Sequence, residues 1–390
     1  MWVRLMEYTK IKNINEYVSE SVSPMNTPEQ IFEMYSVPIY STGHPEYLHG
    51  NEIASNKVKV RKNDVLLCKI NPRINRVWIV ADESAYPCIA SSEWIVIRNS
   101  EYNPEFLAWY FRSPIFKQLM TSEVTGIGGS LTRAQPKAVA EYPVPVIERQ
   151  EQDVITEILN KIYNIIDTRR REINILDDLI KARFAELFGN PVLNDKGWEQ
   201  KTLADIASKI GSGATPKGGK EAYRENGIAL VRSMNVHNGR FEYKDLAHIS
   251  DEQAEKLNNV TLEENDVLLN ITGASVARSC VVPSEILPAR VNQHVCIIRC
   301  KECIVPEFLN KLFINDNYQV LLRRMAGAGA TREAITKQQV ESLRVIMPPL
   351  EIQQRFADFV ARTDKSKVAV QKSLDETQLL FNSLMQKYFG

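Results

Sequence analysis

Residues 148–189 read ERQEQDVITEILNKIYNIIDTRRREINILDDLIKARFAELFG, and the rest of the chain is arranged around this stretch. It contains no proline, and its first glycine is Gly189. Apolar residues recur at alternating steps of three and four, which predicts one helix, roughly 60 Å long, whose seam lies against another helix. The seam consists of Ile155, Ile158, Ile162, Ile165, Ile173, Leu176, Ile180 and Leu187, with Arg169 and Arg183 at the two remaining places. A long helix in mid-chain predicts a separate globular body on each side of it.

The partner of this helix is predicted at the end of the chain. Pro348-Pro349-Leu350-Glu351-Ile352-Gln353 repeats the start of the first helix, Pro145-Val146-Ile147-Glu148-Arg149-Gln150, and neither proline nor glycine follows it before Gly390. The predicted seam is Phe356, Val360, Thr363, Lys367, Val370, Leu374, Thr377, Phe381, Leu384 and Tyr388. We expect the two helices to form an antiparallel coiled coil. The apolar residues Ile166, Leu179 and Phe184 lie off the seam, where they indicate either a docking face for another protein or ordinary packing on the globules.

The chain also repeats one plan at an offset of about two hundred residues. Residues 62–67 match residues 264–269 as a turn and a buried strand, residues 92–98 match 293–299 as a second strand, and a glycine loop follows later in each copy, at 126–130 and 327–331. We therefore predict an α+β fold with an internal pseudo-two-fold repeat. Its segments are a first α/β globule at 1–149, a long helix at 150–189, a second globule at 190–350 and a last helix at 351–390.

Composition narrows the class of protein. The 390 residues carry a formal net charge of zero, which argues against a uniformly basic nucleic-acid binder but leaves room for a local basic face, such as the basic run from Lys57 to Arg76. The first residues lack an apolar leader and no run of about eighteen apolar residues occurs, so we expect a cytoplasmic chain that does not bind a membrane. The six cysteines show no disulfide spacing and are expected to be reduced.

Three stretches make the chain resemble the specificity (S) subunits of type I restriction–modification systems. They are the repeated Pro-x-x-Glu-x-Gln at the start of each long helix, residues 198–206 with Gly211-Ser212-Gly213-Ala214-Thr215-Pro216 behind them, and residues 69–78, KINPRINRVW. The resemblance covers essentially the whole chain. The first globule departs from it, because Ser21-Val22-Ser23-Pro24-Met25-Asn26-Thr27-Pro28 stands where the second has its Gly-Ser-Gly-x-Thr-Pro opening.

The resemblance implies a non-catalytic subunit that reads double-stranded DNA through two target-recognition domains. Its helices would hold two copies of an adenine-N6 methyltransferase subunit, and the complex would recruit an ATP-dependent restriction subunit. S-adenosylmethionine, ATP and Mg²⁺ then belong to the partners, and this chain holds no cofactor. A two-fold protein meets two half-sites across DNA, and two unlike repeats should read two unlike half-sites.

The residues themselves do not favour an enzyme. The closest string to a methyltransferase motif, Asn71-Pro72-Arg73-Ile74, lacks the second proline and the aromatic residue of that motif. No Gly-x-Gly-x-x-Gly follows a predicted strand, and no Gly-Lys-Ser/Thr loop occurs. Cys296, Cys300 and Cys303 with His294 resemble a zinc cluster, but the first repeat has no counterpart, so reduced thiols are favoured over a metal site.

Candidate DNA contacts are arginine, lysine, asparagine, glutamine and histidine side chains in loops, because these groups match phosphates and base edges. Asn270-Ile271-Thr272-Gly273 takes the place of Lys69-Ile70-Asn71-Pro72 in the repeat, and this equivalence carries most weight. The glycine loops indicate either flexible turns or a backbone that approaches DNA closely. The candidates are Lys69, Asn71, Arg73, Arg76, Thr132 and Arg133 in the first globule, and Lys217, Arg232, Asn235, His237, Asn270, Thr272, Arg278 and Arg332 in the second.

Two other hypotheses remain open from the residues alone. The chain could be a scaffold whose coiled coil joins proteins and whose globules bind protein. It could also serve a methylation-only or type IIB-like system that lacks a separate restriction subunit. Salt-dependent DNA binding by the assembled complex would distinguish the first of these from a DNA reader.

Overall fold

The computed structural model describes residues 7–81, 83–122, 124–125, 132–215, 221, 223–327 and 333–390. The chain forms two compact units, which we call unit 1 (Met1–Arg170 with Lys372–Gly390) and unit 2 (Arg171–Gln371). Each long helix is divided between the two units near its middle, whereas the sequence analysis gave each helix a segment of its own. Among the described residues, no helix is both long and apolar enough to cross a membrane.

Unit 1 contains a mixed sheet and an antiparallel sheet, and helix α2 packs on the antiparallel one. A five-stranded sheet has the order β2-β5-β8-β3-β4, and a three-stranded sheet has the order β7-β6-β9, with β6 central. The elements are β1 (Tyr8–Lys10), α1 (Ile11–Ile14), β2 (Ser21–Val22), β3 (Ile31–Tyr35), β4 (Glu46–His49), β5 (Lys57–Lys59), β6 (Val65–Cys68), β7 (Val77–Ile79), β8 (Cys88–Ala90), β9 (Trp94–Ile97), α2 (Pro104–Arg112), α3 (Pro114–Ser122), β10 (Val124–Thr125), β11 (Arg133–Ala134), α4 (Pro136–Val139), β12 (Pro143–Pro145) and the first part of α5 (Arg149–Phe188).

Unit 2 repeats this arrangement. A four-stranded sheet has the order β14-β22-β19-β20, with β19 at the place of β6, and a three-stranded sheet has the order β18-β15-β21. The elements after α5 are β13 (Gln200–Thr202), α6 (Leu203–Ile206), β14 (Ala207–Ser212), β15 (Ile228–Val231), β16 (Val236–His237), β17 (Arg240–Phe241), β18 (Ala247–Ile249), α7 (Asp251–Glu255), β19 (Val267–Asn270), β20 (Ser279–Val281), β21 (Ala289–Val291), β22 (Val295–Cys300), α8 (Pro306–Phe313), α9 (Asp316–Gly327), α10 (Lys337–Glu341), β23 (Arg344–Ile346) and α11 (Leu350–Phe389).

The same ion pair supports the central strand of each unit. The buried Asp64 carboxylate accepts two hydrogen bonds from Arg98, both of 2.7 Å, and one from the Arg61 amide. In unit 2 the buried Asp266 carboxylate accepts from Arg299 at 2.8 and 2.9 Å and from the Glu263 amide. An ionised carboxylate buried in this way needs several donors to offset its lost hydration. The internal repeat predicted from the sequence is confirmed at the level of single side chains.

The two long helices pack together within each unit. In unit 1 the Tyr163 and Phe381 rings lie 6.2 Å apart, and Arg170 donates to Gln378 at 3.2 Å. Residue numbers therefore fall along α11 as they rise along α5, which makes the pairing antiparallel. In unit 2 the rings of Phe184 and Phe356 are 5.6 Å apart, and the same direction holds for the ion pair between Asp177 and Lys367.

The predicted seam is confirmed along α11, where all ten seam residues are buried or half-buried. In α5 one seam member is wrong, because Ile165 is 46% exposed while the neighbouring Ile166 is 1% exposed. Phe184, which the pattern placed off the seam, stacks on Phe308 of α8 at 6.1 Å and is also buried. Of the two alternatives, ordinary packing on the globule is therefore confirmed for Phe184, and the buried Ile166 does not form part of an outer docking face either. Leu179 is exposed.

A buried glutamine fixes the start of each long helix. Gln152 accepts a hydrogen bond from the Asn103 amide and donates to the Ile147 carbonyl. Gln353 accepts from the Val305 amide and donates to the Pro348 carbonyl in the same way. The glutamine that corresponds to Gln353 is thus Gln152, and not the exposed Gln150 that the repeated motif paired with it.

Candidate nucleic-acid interface

In unit 1 the first group of predicted contact residues lies in one loop, residues 69–76, which joins β6 to β7 and which we call the 69–76 loop. The Lys69 amide donates to the Glu93 carbonyl at 3.1 Å, and the Lys69 carbonyl accepts from the Ala134 amide at 2.8 Å. The Asn71 amide donates to the Thr132 carbonyl at 2.8 Å. The structure therefore joins the two candidate groups of the first globule, with the segment from Thr132 lying beside the loop.

The 69–76 loop is held in a defined shape. Asn71 and Asn75 adopt left-handed backbone conformations, with φ of 47° and 50°, which asparagine tolerates better than most residues because its short side chain can bond locally. The Ile74 amide donates to the Asn71 carbonyl at 3.0 Å, and the Cys68 amide donates to the Arg76 carbonyl at 3.0 Å. Side chains on this loop are thus presented from a fixed backbone.

At this end of β6 the carboxylate of Glu93 lies near two cations, Lys69 and Arg133. Glu93 was not among the residues predicted from the sequence. One carboxylate oxygen of Glu93 lies 3.1 Å from an Arg133 nitrogen, and the other lies 3.9 Å from the Lys69 ammonium. Lys69 also donates to the Ser92 carbonyl at 2.6 Å. The sequence did contain a signal that could have identified Glu93, because Ser92-Glu93 and Gln293-His294 occupy matching places in the repeat.

Several polar atoms of this region are buried without a hydrogen-bond partner. They are Oδ1 of Asn71, Oδ1 of Asn75, Nη1 of Arg76 and Oε2 of Glu93. Buried polar groups are nearly always paired in folded proteins, so such a concentration needs an explanation. Asparagine, arginine and glutamate are also side chains that bond base edges, and Arg73 adds an exposed cation to the same loop.

The rest of the basic run does not belong to this surface. Lys57 is 7% exposed and donates to the carbonyl and hydroxyl of Ser55, and burial lowers the pKa of its ammonium. Lys59 is paired with Glu20. Arg61 and Lys62 precede β6 and so lie at the other end of that strand from Lys69. The run from Lys57 to Arg76 is therefore not one continuous basic face, because the strand separates its two ends.

In unit 2 a row of hydrogen bonds connects Thr272 to the loop before β22. The Thr272 hydroxyl lies 2.5 Å from Nδ1 of His294. Nε2 of His294 lies 3.1 Å from Nε2 of the Gln293 side-chain carboxamide. The Gln293 carboxamide oxygen in turn accepts from the Thr215 hydroxyl. His294 and Gln293 were not predicted as DNA contacts, although they belong to this row of groups that can bond bases.

The other half-buried candidates of unit 2 are Arg232, His237 and Arg278. Arg232 donates to the Asp245 carbonyl, and its guanidinium lies 5.1 Å from the centre of the Tyr223 ring. His237 is half-buried in the β16–β17 hairpin. The Arg278 carbonyl accepts from the Asn270 amide at 2.8 Å, which closes the loop from Asn270 to Arg278.

Two predicted contacts, Asn235 and Asn270, are contradicted by their burial. Both are 0% exposed. The Asn235 carboxamide donates to the Glu242 and Lys244 carbonyls, and that of Asn270 donates to the Ser233 carbonyl. These amides support loops inside unit 2 and are not available to a base.

The equivalence between the two loops is also shifted by one residue. Cys68 pairs with Trp94 across the strands, and Asn270 pairs with Val295. The amides of Lys69 and Ile271 donate to the carbonyls of Glu93 and His294, respectively. Asn270 therefore corresponds to Cys68, and the counterpart of Lys69 is the buried Ile271.

The remaining candidates lie outside the described residues. They are Lys217, Arg332, the glycine loop at 126–130 and residues 328–331 of the second glycine loop; Gly327 is the last residue of α9. Among the described residues, no three of the histidine, cysteine, aspartate and glutamate side chains converge as a metal site. Cys296 and Cys300 are free thiols, and burial raises the pKa of each to about 12.

Comparison with known proteins finds similarity to specificity subunits of type I restriction enzymes. Residues 195–377 match the family model described as "Type I restriction modification DNA specificity domain". The type I restriction enzyme MjaVIII specificity subunit of Methanocaldococcus jannaschii is 20% identical over 377 residues, which is 92% of this chain and 86% of that protein. The EcoKI specificity subunit of Escherichia coli is 18% identical over 73% of this chain and 64% of that protein.

Solved structures share the fold. The type I restriction–modification S subunit from M. genitalium matches with a TM-score of 0.59 and 13% identity, over 100% of this chain and 98% of that one. A chain from a structural study of the assembly and conformational transition of a type I system matches with a TM-score of 0.59 and 19% identity, over 98% of this chain and 97% of that one. At these identities the likeness concerns the fold.

Proposed function

We propose that the chain is a specificity (S) subunit of a type I restriction–modification system, the non-catalytic subunit that recognises DNA sequence, and that its two units divide this task. Each unit reads one half of a bipartite, asymmetric DNA site. Unit 1 uses the 69–76 loop with the segment at Thr132 and Arg133, and unit 2 uses Arg232, His237, Thr272 and Arg278, together with Lys217 and Arg332.

One observation carries this proposal. The two units share the ion pair under the central strand, with Asp64 and Asp266 at equivalent places, and yet the residues just beyond that strand differ in chemistry. At the place of the charged Lys69 stands the apolar Ile271, and at the place of Glu93 stands His294. A common framework with unlike residues at its loop end is what reading two different half-sites requires.

The partners follow from the family. Specificity subunits work with methylase and restriction subunits on DNA, and we propose that this chain holds two adenine-N6 methyltransferase subunits and an ATP-dependent restriction subunit. S-adenosylmethionine, ATP and Mg²⁺ would be bound by those partners and not by this chain. Since its DNA and its partners are found there, we place the chain in the cytoplasm.

A map of modified bases tests the proposal. The chain is expressed with the adenine methyltransferase encoded beside it, and the DNA is sequenced for N6-methyladenine. We expect a methylated motif made of two different half-sites separated by a gap, which disappears when this chain is omitted. In binding assays of the assembled complex, affinity should fall steeply with salt, because neutralised phosphates release counterions.

Two variants assign the halves. Arg73→Ala should relax one half-site and Arg278→Ala the other. If the two proteins co-purify but no new methylation and no salt-dependent DNA binding appear, the DNA-reading role is wrong and a scaffold role remains. If one variant changes both half-sites equally, the division of labour between the units is wrong.

A further inference from the structure

The 69–76 loop carries one large apolar side chain that the fold leaves in solvent. Ile74 is 57% exposed, and it stands between the exposed Arg73 and the half-buried Asn75. The backbone around it is pinned, because the Asn75 amide donates to the Pro72 carbonyl at 3.0 Å and the Ile74 amide donates to the Asn71 carbonyl at 3.0 Å. Pro72 is the buried residue of the loop, so the loop is anchored through Pro72 and presents Ile74.

Unit 2 shows that such a loop can bury this position. The loop that follows β19, after Asn270 and up to Arg278, has the same length as the 69–76 loop of unit 1. It also has left-handed residues at the places of the two left-handed asparagines, Gly273 with φ of 74° and Ala277 with φ of 72°. The residue at the place of Ile74 is Val276, which is 6% exposed and belongs to the core of unit 2. Exposure of Ile74 is therefore a property of unit 1 and not of the loop type.

Single apolar residues are common on protein surfaces, and exposure alone points to no ligand. Ile74 differs in its surroundings. The exposed Arg73 precedes it directly, and the half-buried side chains of Asn71, Asn75 and Arg76 belong to the same loop. A fixed loop that presents one apolar tip beside an exposed cation is complementary to the edge of a base pair that has hydrogen-bond acceptors beside one methyl group.

Resting on the DNA-reading function proposed above, we propose that Ile74 contacts the 5-methyl group of a thymine in the half-site read by unit 1. The thymine methyl is the one apolar group among the major-groove edges of the four base pairs, and aliphatic side chains recognise it by removing it from water. The adjacent Arg73 supplies donors for the acceptor atoms of that pair or its neighbours. Unit 2, with Val276 in its core, makes no such contact from the equivalent position.

Deoxyuridine tests the contact, because it keeps the base pairing of thymine and lacks only the methyl group. The assembled complex of this chain with its methyltransferase is titrated with duplexes that carry the motif found in the methylation map. Each thymine of both half-sites is replaced in turn by deoxyuridine. We expect one replacement, in one half-site, to weaken binding of the wild type by about fivefold.

The Ile74→Ala variant should lose about the same factor on the unmodified duplex, and the deoxyuridine duplex should then cause no further loss, because one contact cannot be removed twice. The matched control is Val18→Ala, in which an 80% exposed apolar residue of unit 1 outside the loop is shortened in the same way. It should bind both duplexes as the wild type does.

The proposal is overturned if Ile74→Ala binds as tightly as the wild type, if no deoxyuridine replacement weakens wild-type binding, or if the variant and the replacement add in full. A unit 1 half-site without any thymine in either strand overturns it as well. If the wild-type complex shows no site-specific binding, the DNA-reading function itself fails, and this result is distinct from the others because it does not depend on Ile74.

Discussion

In unit 1 the residue that follows the central strand is Lys69, and its ammonium lies 3.9 Å from a carboxylate oxygen of Glu93. In unit 2 the same place holds the buried Ile271, and His294 stands where unit 1 has Glu93. The third member of the unit 1 cluster is Arg133, and its counterpart in unit 2 is Ala334. The residues that follow them, Ala134 and Ile335, make equivalent backbone hydrogen bonds through their amides. A charged triad in one unit is thus replaced by apolar residues and a histidine in the other.

Below this level the two units agree closely. The ion pairs of Asp64 and Asp266, the buried glutamines Gln152 and Gln353, and the left-handed asparagines Asn63 and Asn265 occupy equivalent places. The comparison teaches that the residues which hold the sheets and helices together are kept in both copies, whereas those at the open end of the strands are free to differ. In the function proposed above, stability and sequence reading are therefore carried by separate sets of side chains.

The largest expected effect concerns the shared ion pair. Asp266→Ala leaves Arg299 partly buried without its bidentate partner, and removing one member of a buried pair costs about 3–5 kcal/mol in the free energy of unfolding. Asp64→Ala should cost a similar amount, since Asp64 is 1% exposed and pairs with Arg98 in the same geometry. Urea unfolding measures both. Glu157→Ala, which breaks an exposed pair with Lys161, is the control and should leave unfolding unchanged. Clearly unequal losses for the two aspartates would show that the framework is not shared energetically.

The glutamines at the starts of the long helices should give the next largest effect. Gln152→Ala and Gln353→Ala each leave a backbone amide and a backbone carbonyl without the side-chain partner that they have in the partly buried helix start, at a cost of about 2 kcal/mol in the free energy of unfolding. Gln150→Ala is the matched control, because Gln150 is exposed although the repeated motif aligned it with Gln353. Loss of stability in the Gln150 variant, with none in the Gln152 variant, would contradict the equivalence that the hydrogen bonds indicate.

Loss of a base contact should cost less and should affect specificity instead of folding. Arg73→Ala is expected to weaken binding by about 1–3 kcal/mol and to relax one half-site, while the other half-site stays unchanged in a methylation map. Lys62→Ala removes an exposed cation from the other end of β6 and should leave the recognised motif unchanged. A changed motif in the Lys62 variant would place the reading surface at the wrong end of the strand.

The smallest expected effect is a pH dependence of stability that arises from Glu307 in unit 2 and not from its counterpart in unit 1. Burial raises the pKa of Glu307 above its ordinary value of 4.5, although Lys311 lies 3.3 Å away. The protonated form is therefore favoured by folding, and the stability it contributes is complete below pH 4.5 and is lost as the pH rises through the folded pKa. Glu307→Gln should raise the melting temperature slightly at neutral pH and not in acid. Glu105→Gln, the exposed counterpart in unit 1, is the control, and a pH-independent response of the Glu307 variant would contradict this assignment.

Patterns with a clear physical period predicted most of the fold. The two helices, the internal repeat and the buried strands followed from apolar spacing, because each long apolar pattern has only one way to be buried. The error at Ile165 and Ile166 has the same origin, since a heptad pattern describes one buried face and α5 buries two. Which of two adjacent isoleucines is covered depends on the globule and not on the helix sequence.

The candidate site was less predictable because the same side chains support loops and read bases. Asn235 and Asn270 were selected for their amides, and these amides bond backbone carbonyls inside unit 2. The slip of one residue between the two loops has a similar cause, since Asn-Ile-Thr-Gly and Lys-Ile-Asn-Pro align well as letters. Only the pairing of Cys68 with Trp94 and of Asn270 with Val295 fixes the register.

The division of the long helices between the units affects the order in which the protein can be completed during synthesis. Phe389 packs in the core of unit 1 against Phe106 and Tyr110, at ring distances of 5.5 and 5.8 Å. Domains usually fold as they leave the ribosome, beginning with the N-terminal one. Here unit 2 has all its residues once Gln371 is made, whereas unit 1 lacks part of its core until the last residues emerge. The half of the chain that is translated first is the half that is finished last, and a chain that loses its final helical turns would lose part of the core of its N-terminal globule.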